Sequence, residues 1–328
     1  MFLREVRGAA MAQPPEESRQ VDLLVKAAEL YYEFGMTQEE VAAHLNVSRP
    51  TVSRLLRQAR ERGIVRIAVV NPKSRAGELE RRLVETFGLH DALVVATLTT
   101  GDLLIRRLGE AGARYVERHL PPGATLGTGL GRTVYRLVYS LEETRAAPHV
   151  VPLCGGTAFA EPAYHVNEIA RMAAKRLGGR CTYLHAPAEA SSRQVYEALL
   201  VDRGVAEVMA AWERLDWAVV GIGAAEYPQS PEFRAYVERA VRAGAEPVAD
   251  LCHRLIDAEG RPCAGDAEGC TIAVTIEQLR RAKRVVAVAG GPHKVRAILA
   301  ALRTGAIDVL VTDEETAMGL LRAGNAAG

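Results

Sequence analysis

From residue 74 onward the chain alternates short apolar runs with amphipathic stretches, and this rhythm restricts the fold more than any other feature. The runs fall at residues 92–97, 125–127, 150–153, 181–184, 217–222, 284–289 and 308–311. Between them, apolar residues recur at three- and four-residue spacing, which predicts helices over 77–87, 103–119, 133–141, 166–177, 193–212, 231–243, 294–302 and 314–321. Strands separated by helices of this length pair in parallel through crossovers, so the pattern implies an open parallel α/β sheet covered on both faces. Ligands on such sheets bind beyond the carboxyl ends of the strands, which directs attention to the loops after each run.

Residues 21–63 have a different character and read as three short helices, the last studded with arginine. Thr37-Gln38-Glu39-Glu40 has the form in which a threonine hydroxyl and a glutamate satisfy each other's free amides at a helix start. Val41, Ala42 and Leu45 then share one face, and Asn46 can leave the helical conformation cheaply for a turn. Ser48 suits the next N-cap, Pro50 is tolerated in a first turn, and Val52, Leu55, Leu56 and Ala59 form its buried stripe. This is the order of a helix-turn-helix, with the last helix as the recognition helix. Thr37, Gln38 and Ser48 at the helix starts, and Arg49, Thr51, Ser53, Arg54 and Arg57 on the open face with Arg60 beside them, are the expected contacts to double-stranded operator DNA. Residues 64–70 are β-branched and stop at Asn71-Pro72, a short wing or linker strand that makes the domain winged-helix-like.

A chain of 328 residues suits a small domain plus a larger one. The expected division is a flexible arm over 1–20, the DNA-binding domain over 21–72 and an effector domain over 73–328. Residues 48–66 hold six arginines against one acid, although the whole chain has a formal charge of only +1. One basic element on an even-handed chain fits a regulator with a small reading module better than a protein coated for nonspecific binding. Hydrophobic and charged contents of 48% and 25% are those of a globular protein, and no apolar run has membrane-spanning length. A cytoplasmic location is expected, with no membrane partner. The five cysteines, Cys154, Cys181, Cys252, Cys263 and Cys270, contain no C-x-x-C pair and fit no common zinc spacing. They read as free thiols; no metal or cofactor is expected.

Several strand-to-helix junctions carry glycine. Gly127-Thr128-Gly129-Leu130-Gly131-Arg132-Thr133 would let backbone amides face an anion at a helix N-terminus, although glycine turns also serve as tight turns alone. It lacks the spacing of a dinucleotide fingerprint and the lysine of a P-loop, which weakens a nucleotide-binding reading. Cys154-Gly155-Gly156-Thr157 leads through Glu161, His165 and Asn167 into a helix; these side chains could reach sugar hydroxyls or merely cap and pack. Gly221-Ile222-Gly223-Ala224 is the third junction. In the fourth, Gly290-Gly291-Pro292-His293-Lys294, a lysine stands in a first helical turn that the helix dipole disfavours, so an anionic partner would explain it. Asp250 follows an apolar stretch and could accept hydroxyl hydrogen bonds.

The helix-turn-helix followed by LGTGLGRT, VPLCGG, VVGIG, AEPVAD, VAVAGGPHK and VLVTDEETA resembles the SorC/DeoR-type sugar-binding transcriptional regulators of bacteria. The resemblance implies a larger domain with the fold of phosphosugar isomerases and deaminases that binds a phosphorylated sugar effector, in a homodimer or homotetramer. By motif position the phosphate would lie on Gly129, Leu130, Gly131, Arg132 and Thr133 with Lys294, while Gly155, Gly156, His165, Asn167 and Asp250 would face the sugar. Cys154 stands where some relatives have arginine, and His165 where glutamine occurs, which implies a singly phosphorylated or smaller effector. The competing reading is an active isomerase or deaminase with an appended DNA-binding domain, drawing on Asp250, Glu161, Glu226 and His165 as acid and base. No catalytic constellation ties those four together, so a regulator without enzymatic activity is expected.

Overall fold

The computed structural model describes residues 16–62, 64–65, 75–97, 101–157, 162–228, 230–263 and 269–325. The chain divides into two compact units, Met1–Asn71 and Pro72–Gly328. Most of the 64–70 strand reading, Arg66 and Glu161 lie outside the described residues.

The first unit is helical. Helix α1 (Glu16–Ala28) begins inside the stretch read as an arm and runs into a π-helical turn over Glu29–Glu33. Helix α2 (Gln38–Leu45) opens with the full capping box: Glu40 N–H donates to Thr37 Oγ1 at 3.3 Å, and Thr37 N–H donates back to Glu40 Oε2 at 2.7 Å. The Thr37 amide and hydroxyl hold the Glu40 carboxyl below its usual range. Asn46 makes the turn at φ 53°, and Ser48 caps α3 (Arg49–Glu61) by accepting from Thr51 N–H at 3.3 Å. Leu24, Ala27, Val41, Val52, Leu56 and Ala59 close the core. Ser48→Ala removes the α3 cap and is expected to cost about 1 kcal/mol, visible as a lower thermal midpoint of this unit.

The second unit is built on a seven-stranded parallel sheet in the order β1-β10-β9-β5-β2-β3-β4. Its strands are β1 (Asp91–Val95), β2 (Thr125–Thr128), β3 (His149–Pro152), β4 (Arg180–Cys181), β5 (Trp217–Gly221), β9 (Arg284–Val288) and β10 (Val309–Asp313). Six match the apolar runs to within two residues at either end, and β4 shares only Cys181 with the run at 181–184. Side chains alternate between the two faces. In β5, Ala218 and Val220 enter one core while Trp217 and Val219 enter the other, and in β9 Val285 and Ala287 oppose Val286 and Val288 in the same way. The covering helices are α4 (Arg75–Phe87), α5 (Asp102–His119), α6 (Arg132–Ser140), α7 (Val166–Arg176), α8 (Arg193–Leu200), α9 (Arg203–Trp212), α10 (Pro231–Arg242), α11 (Ile276–Arg281), α12 (Val295–Arg303) and α13 (Glu314–Asn325).

Three departures from the periodicity have local causes. The single helix expected over 193–212 is broken into α8 and α9, because Asp202 caps α9 by accepting from Gly204 and Val205 amides. Strand β4 ends at Cys181 because the Leu184 amide donates to Asn167 Oδ1 at 2.9 Å instead of continuing the ladder. A small antiparallel sheet, β6 (Gly223–Ala224), β7 (Ala249–Asp250) and β8 (Leu255–Ile256), consists of two-residue strands too short to carry a period. Among the described residues no helix is long and apolar enough to cross a membrane.

The sheet order has a switch point. After β2 the chain adds β3 and β4 on one side, then returns to place β5 on the other side of β2. The crevice beyond the ends of β2 and β5 is where this class of sheet binds ligands.

Candidate functional site

The loop after β2 and the end of β5 lie against each other at the switch point. The Gly129 amide donates to Val219 O at 2.8 Å, and a Cβ on Gly221 would lie 3.3 Å from both Leu130 O and Thr133 Oγ1. Gly131, at φ 111°, is the N-cap of α6 and contributes no side-chain cap, so the helix start is left to its backbone amides. Leu130 packs with Cys154, Val166 and Ala273, which anchors the loop while its neighbours face the crevice. Arg132 stands at the first turn of α6, 3.7 Å from Asp102.

Lys294 reaches the same place from the loop after β9. Its Nζ donates to Ile222 O at 2.7 Å, one residue past the end of β5. Burial above all, and the positive Arg132 with it, push its pKa down to about 8 against the opposing pull of Asp250. The β6–β7 pairing sets Gly223 opposite Asp250, and a Cβ on Gly223 would lie 3.0 Å from Asp250 Cβ. Residues 129–133, 222–223, Asp250 and Lys294 therefore converge on one crevice. Two cations and a helix N-terminus can donate to an anion, and one carboxylate can accept from hydroxyls.

The loop after β3 answers differently. The Gly155 amide donates to Ile272 O and the Gly156 amide to Ala186 O, so neither N–H is open to an anion. A Cβ on Gly155 would fall 2.2 Å from Pro187 O, which explains the glycine as close backbone packing. Asn167 commits both polar ends to Leu184, donating from Nδ2 to Leu184 O at 3.0 Å and accepting from its amide. His165 caps α7 through Nδ1, leaving Nε2 against Gly156. Gly155, Gly156 and Asn167 thus build the wall by the tethering alternative, and His165 is the member of this group with a ring nitrogen left over.

Two features escaped sequence reasoning. Asp313, fully buried, accepts from Gly291 N–H at 2.7 Å and from the Thr316 hydroxyl, fixing the loop that carries Lys294. Cys252 and His253 form a two-residue hairpin turn at φ 54° and 63°, an unusual conformation for such residues. This turn closes the β7–β8 hairpin that carries Asp250, and His253 Nε2 meets Glu189 at 3.1 Å while its ring stacks on Tyr236. The other proposed acid–base group is dispersed: Glu226 is paired with Arg296, and His165 is a helix cap. All five cysteines are free thiols, with Cys154, Cys252 and Cys270 buried.

In the first unit, Arg49, Ser53, Arg54, Arg57 and Arg60 are exposed along α3, while Val52, Leu55, Leu56 and Ala59 face the core. Thr37 and Ser48 are engaged in capping, and Gln38 is the first residue of α2.

A helix-turn-helix followed by a parallel α/β unit, with two cationic side chains and a helix N-terminus at its switch point, has the parts of a ligand-controlled DNA-binding regulator. The chain matches a sugar-binding domain family over residues 72–322 and a Crp-like helix-turn-helix domain over residues 18–73. It is 34% identical to the sorbitol operon regulator of Klebsiella pneumoniae over 94% of this chain and 100% of that protein. It is 31% identical to the deoxyribonucleoside regulator of Bacillus subtilis over 91% and 97% of the two chains. The crystal structure of the full-length sorbitol operon regulator SorC superposes with a TM-score of 0.73 at 32% identity, covering 92% of this chain and 98% of that one. The chain belongs to the SorC family of sugar-binding transcriptional regulators, and it is a regulator rather than an enzyme.

Proposed function

We propose that the effector is a phosphorylated sugar, held with its phosphate between the α6 N-terminus and Lys294 and its hydroxyls toward Asp250 and His165, and that it controls the affinity of α3 for an operator of carbohydrate uptake or catabolism. The carrying observation is Lys294, a lysine drawn out of solvent onto Ile222 O, where the positive Arg132 lowers its pKa and Asp250 offsets part of the charge, so that a bound anion would be met by two cations. The amides of Leu130, Gly131, Arg132 and Thr133 would supply the remaining donors, with Gly129 giving the backbone close approach.

The protein acts in the cytoplasm as a homodimer or homotetramer in this reading. One recognition helix reads few base pairs, and a symmetric pair sets two about one DNA turn apart. A ligand alters operator affinity only by binding one subunit arrangement better than another. Titration of operator binding against a panel of sugar phosphates tests the idea. A family of ligands that leaves operator affinity unchanged at millimolar concentration, with the protein folded, would overturn it.

On the DNA side, Thr37, Gln38 and Ser48 place α2 and α3 against phosphates, and Arg49, Thr51, Ser53, Arg54 and Arg57 face the groove. Arg54→Ala is expected to weaken specific binding by about 1–3 kcal/mol and relax the preference at one base. Equal losses on operator and random DNA would reduce Arg54 to a phosphate contact.

A further inference from the structure

The recognition face of the first unit carries an acid where a phosphate-facing surface should repel one. Glu39, the second residue of α2, forms an ion pair with Arg49, its Oε1 2.9 Å from Arg49 Nε, and both side chains are 64% exposed. An exposed ion pair of this kind contributes little to folding, so its presence does not need a stability role. The helix start is already secured without it, because the capping box uses Glu40 and Thr37. Its placement is informative in another way. Arg49 is the first residue of α3, and in helix-turn-helix docking the N-terminal residues of the recognition helix meet base edges while the preceding helix crosses the backbone.

We infer that Glu39 is a positioning residue for base readout: it holds the Arg49 guanidinium by its Nε edge so that the two Nη nitrogens are presented together to a guanine. A guanine offers O6 and N7 as adjacent acceptors, and a bidentate arginine discriminates it only when the guanidinium plane is aligned with the base. An unrestrained arginine has many rotamers and can satisfy itself equally on a phosphate, which carries no sequence information. With Nε taken by Glu39, the Nη pair is the edge left with parallel donors. The carboxylate also repels the nearest phosphates, which lowers affinity for every sequence and so favours the one base that rewards the alignment. The inference rests on the assignment of α3 as the DNA reader.

The test is selection of binding sites from a random DNA library by the full-length protein, followed by competition titrations on the selected site and on random DNA. The wild-type protein, Glu39→Ala, Glu39→Gln, Arg49→Ala and the double variant are compared, with thermal unfolding as the folding control. Glu39→Ala should lose about tenfold in preference for guanine at one position of each half-site, within the discrimination a bidentate pair provides. Its affinity for random DNA should hold or tighten. Glu39→Gln retains an oxygen that can accept from Nε and should recover part of the preference. Arg49→Ala should lose the preference at the same position, and the double variant should lose no more than Arg49→Ala alone, because the two residues act as one unit. The proposal is overturned if Glu39→Ala keeps the wild-type base preference, if its losses are equal on selected and random DNA, or if the two single losses add. A wild-type protein that selects no sequence would overturn the DNA-reading assignment itself.

Discussion

Replacing Lys294 with methionine is expected to abolish effector control while leaving the fold intact or firmer. Methionine keeps the length and apolar stem of the lysine but removes the charge that an anion in the crevice would meet. Truncating one partner of a buried, hydrogen-bonded charge pair costs about 2–5 kcal/mol, a loss of at least roughly thirtyfold in affinity. Without ligand the sign reverses. The lysine is disfavoured where it sits, since its pKa falls from 10.5 unfolded to about 8 folded. Between those values the unfolded chain holds more protons than the folded one, so stability rises with pH through that window and the penalty is fully present below about pH 8. The methionine variant should lack this rise. Its thermal midpoint without ligand should equal or exceed that of wild type at neutral pH, and the upward shift on adding a sugar phosphate should disappear. A variant that still responds to the ligand would remove Lys294 from the site.

The same reasoning fixes the pH dependence of effector binding. Below about pH 8 the lysine is already charged, and binding takes up no proton at Nζ. Above it the lysine must be recharged, and affinity should fall by up to tenfold per pH unit. On the acid side a phosphate monoester loses its second charge near pH 6, roughly. Affinity should therefore be greatest between these limits, and isothermal titration in buffers of different ionisation enthalpy would expose proton uptake on the alkaline side.

The larger unit was legible where burial acts over whole strands and obscure where it acts through single bonds. Runs such as 217–222 and 284–289 lie in the centre of a sheet buried on both faces, where apolar residues are favoured on both sides at once. The capping residues Thr37 and Ser48 were equally readable, because a helix start demands particular side chains at particular offsets. The two-residue strands Gly223–Ala224, Ala249–Asp250 and Leu255–Ile256 leave no period to detect. The site divides along the same line. Glycines 129 and 131 and Lys294 were singled out from their places after strands, and the fold sets Gly129 and Lys294 against the end of β5. Gly155 and Gly156 carry the same outward signature, yet their amides are spent on Ile272 and Ala186, partners more than twenty-five residues away in sequence. Asn167 was ambiguous for a related reason, since only the fold reveals that Leu184 occupies both ends of its amide.

Asp313→Ala is expected to be the most destabilising single change at the site, although Asp313 lies beneath the crevice. The carboxylate is fully buried at the end of β10. One oxygen accepts from Gly291 N–H at 2.7 Å and the Thr316 hydroxyl at 2.6 Å; the other accepts from Thr316 N–H at 3.0 Å and the Thr97 hydroxyl at 3.1 Å. Alanine strands the Thr316 amide and leaves the Gly291 amide only the Thr316 hydroxyl oxygen at 2.8 Å, in a closed environment where each unsatisfied group carries its own desolvation cost. A total of about 3–5 kcal/mol follows, at the upper end for point substitutions, and a melting shift of roughly 6–20 °C for a unit of this size. Asparagine should rescue only part of it, since its NH2 turns one of the two acceptor sites into a donor facing donors. Thr97→Val, which removes its bond to Asp313 and the one that its hydroxyl oxygen accepts from Glu315 N–H at 3.1 Å, should cost about 1–3 kcal/mol. Because the Gly291 amide belongs to the loop that ends in Lys294, any Asp313 variant that still folds should also bind the effector more weakly, with the DNA-binding unit's own affinity for random DNA unchanged. A melting temperature within experimental error of wild type would show that the Gly291 loop is held by other contacts, and that Lys294 owes its position to Ile222 alone.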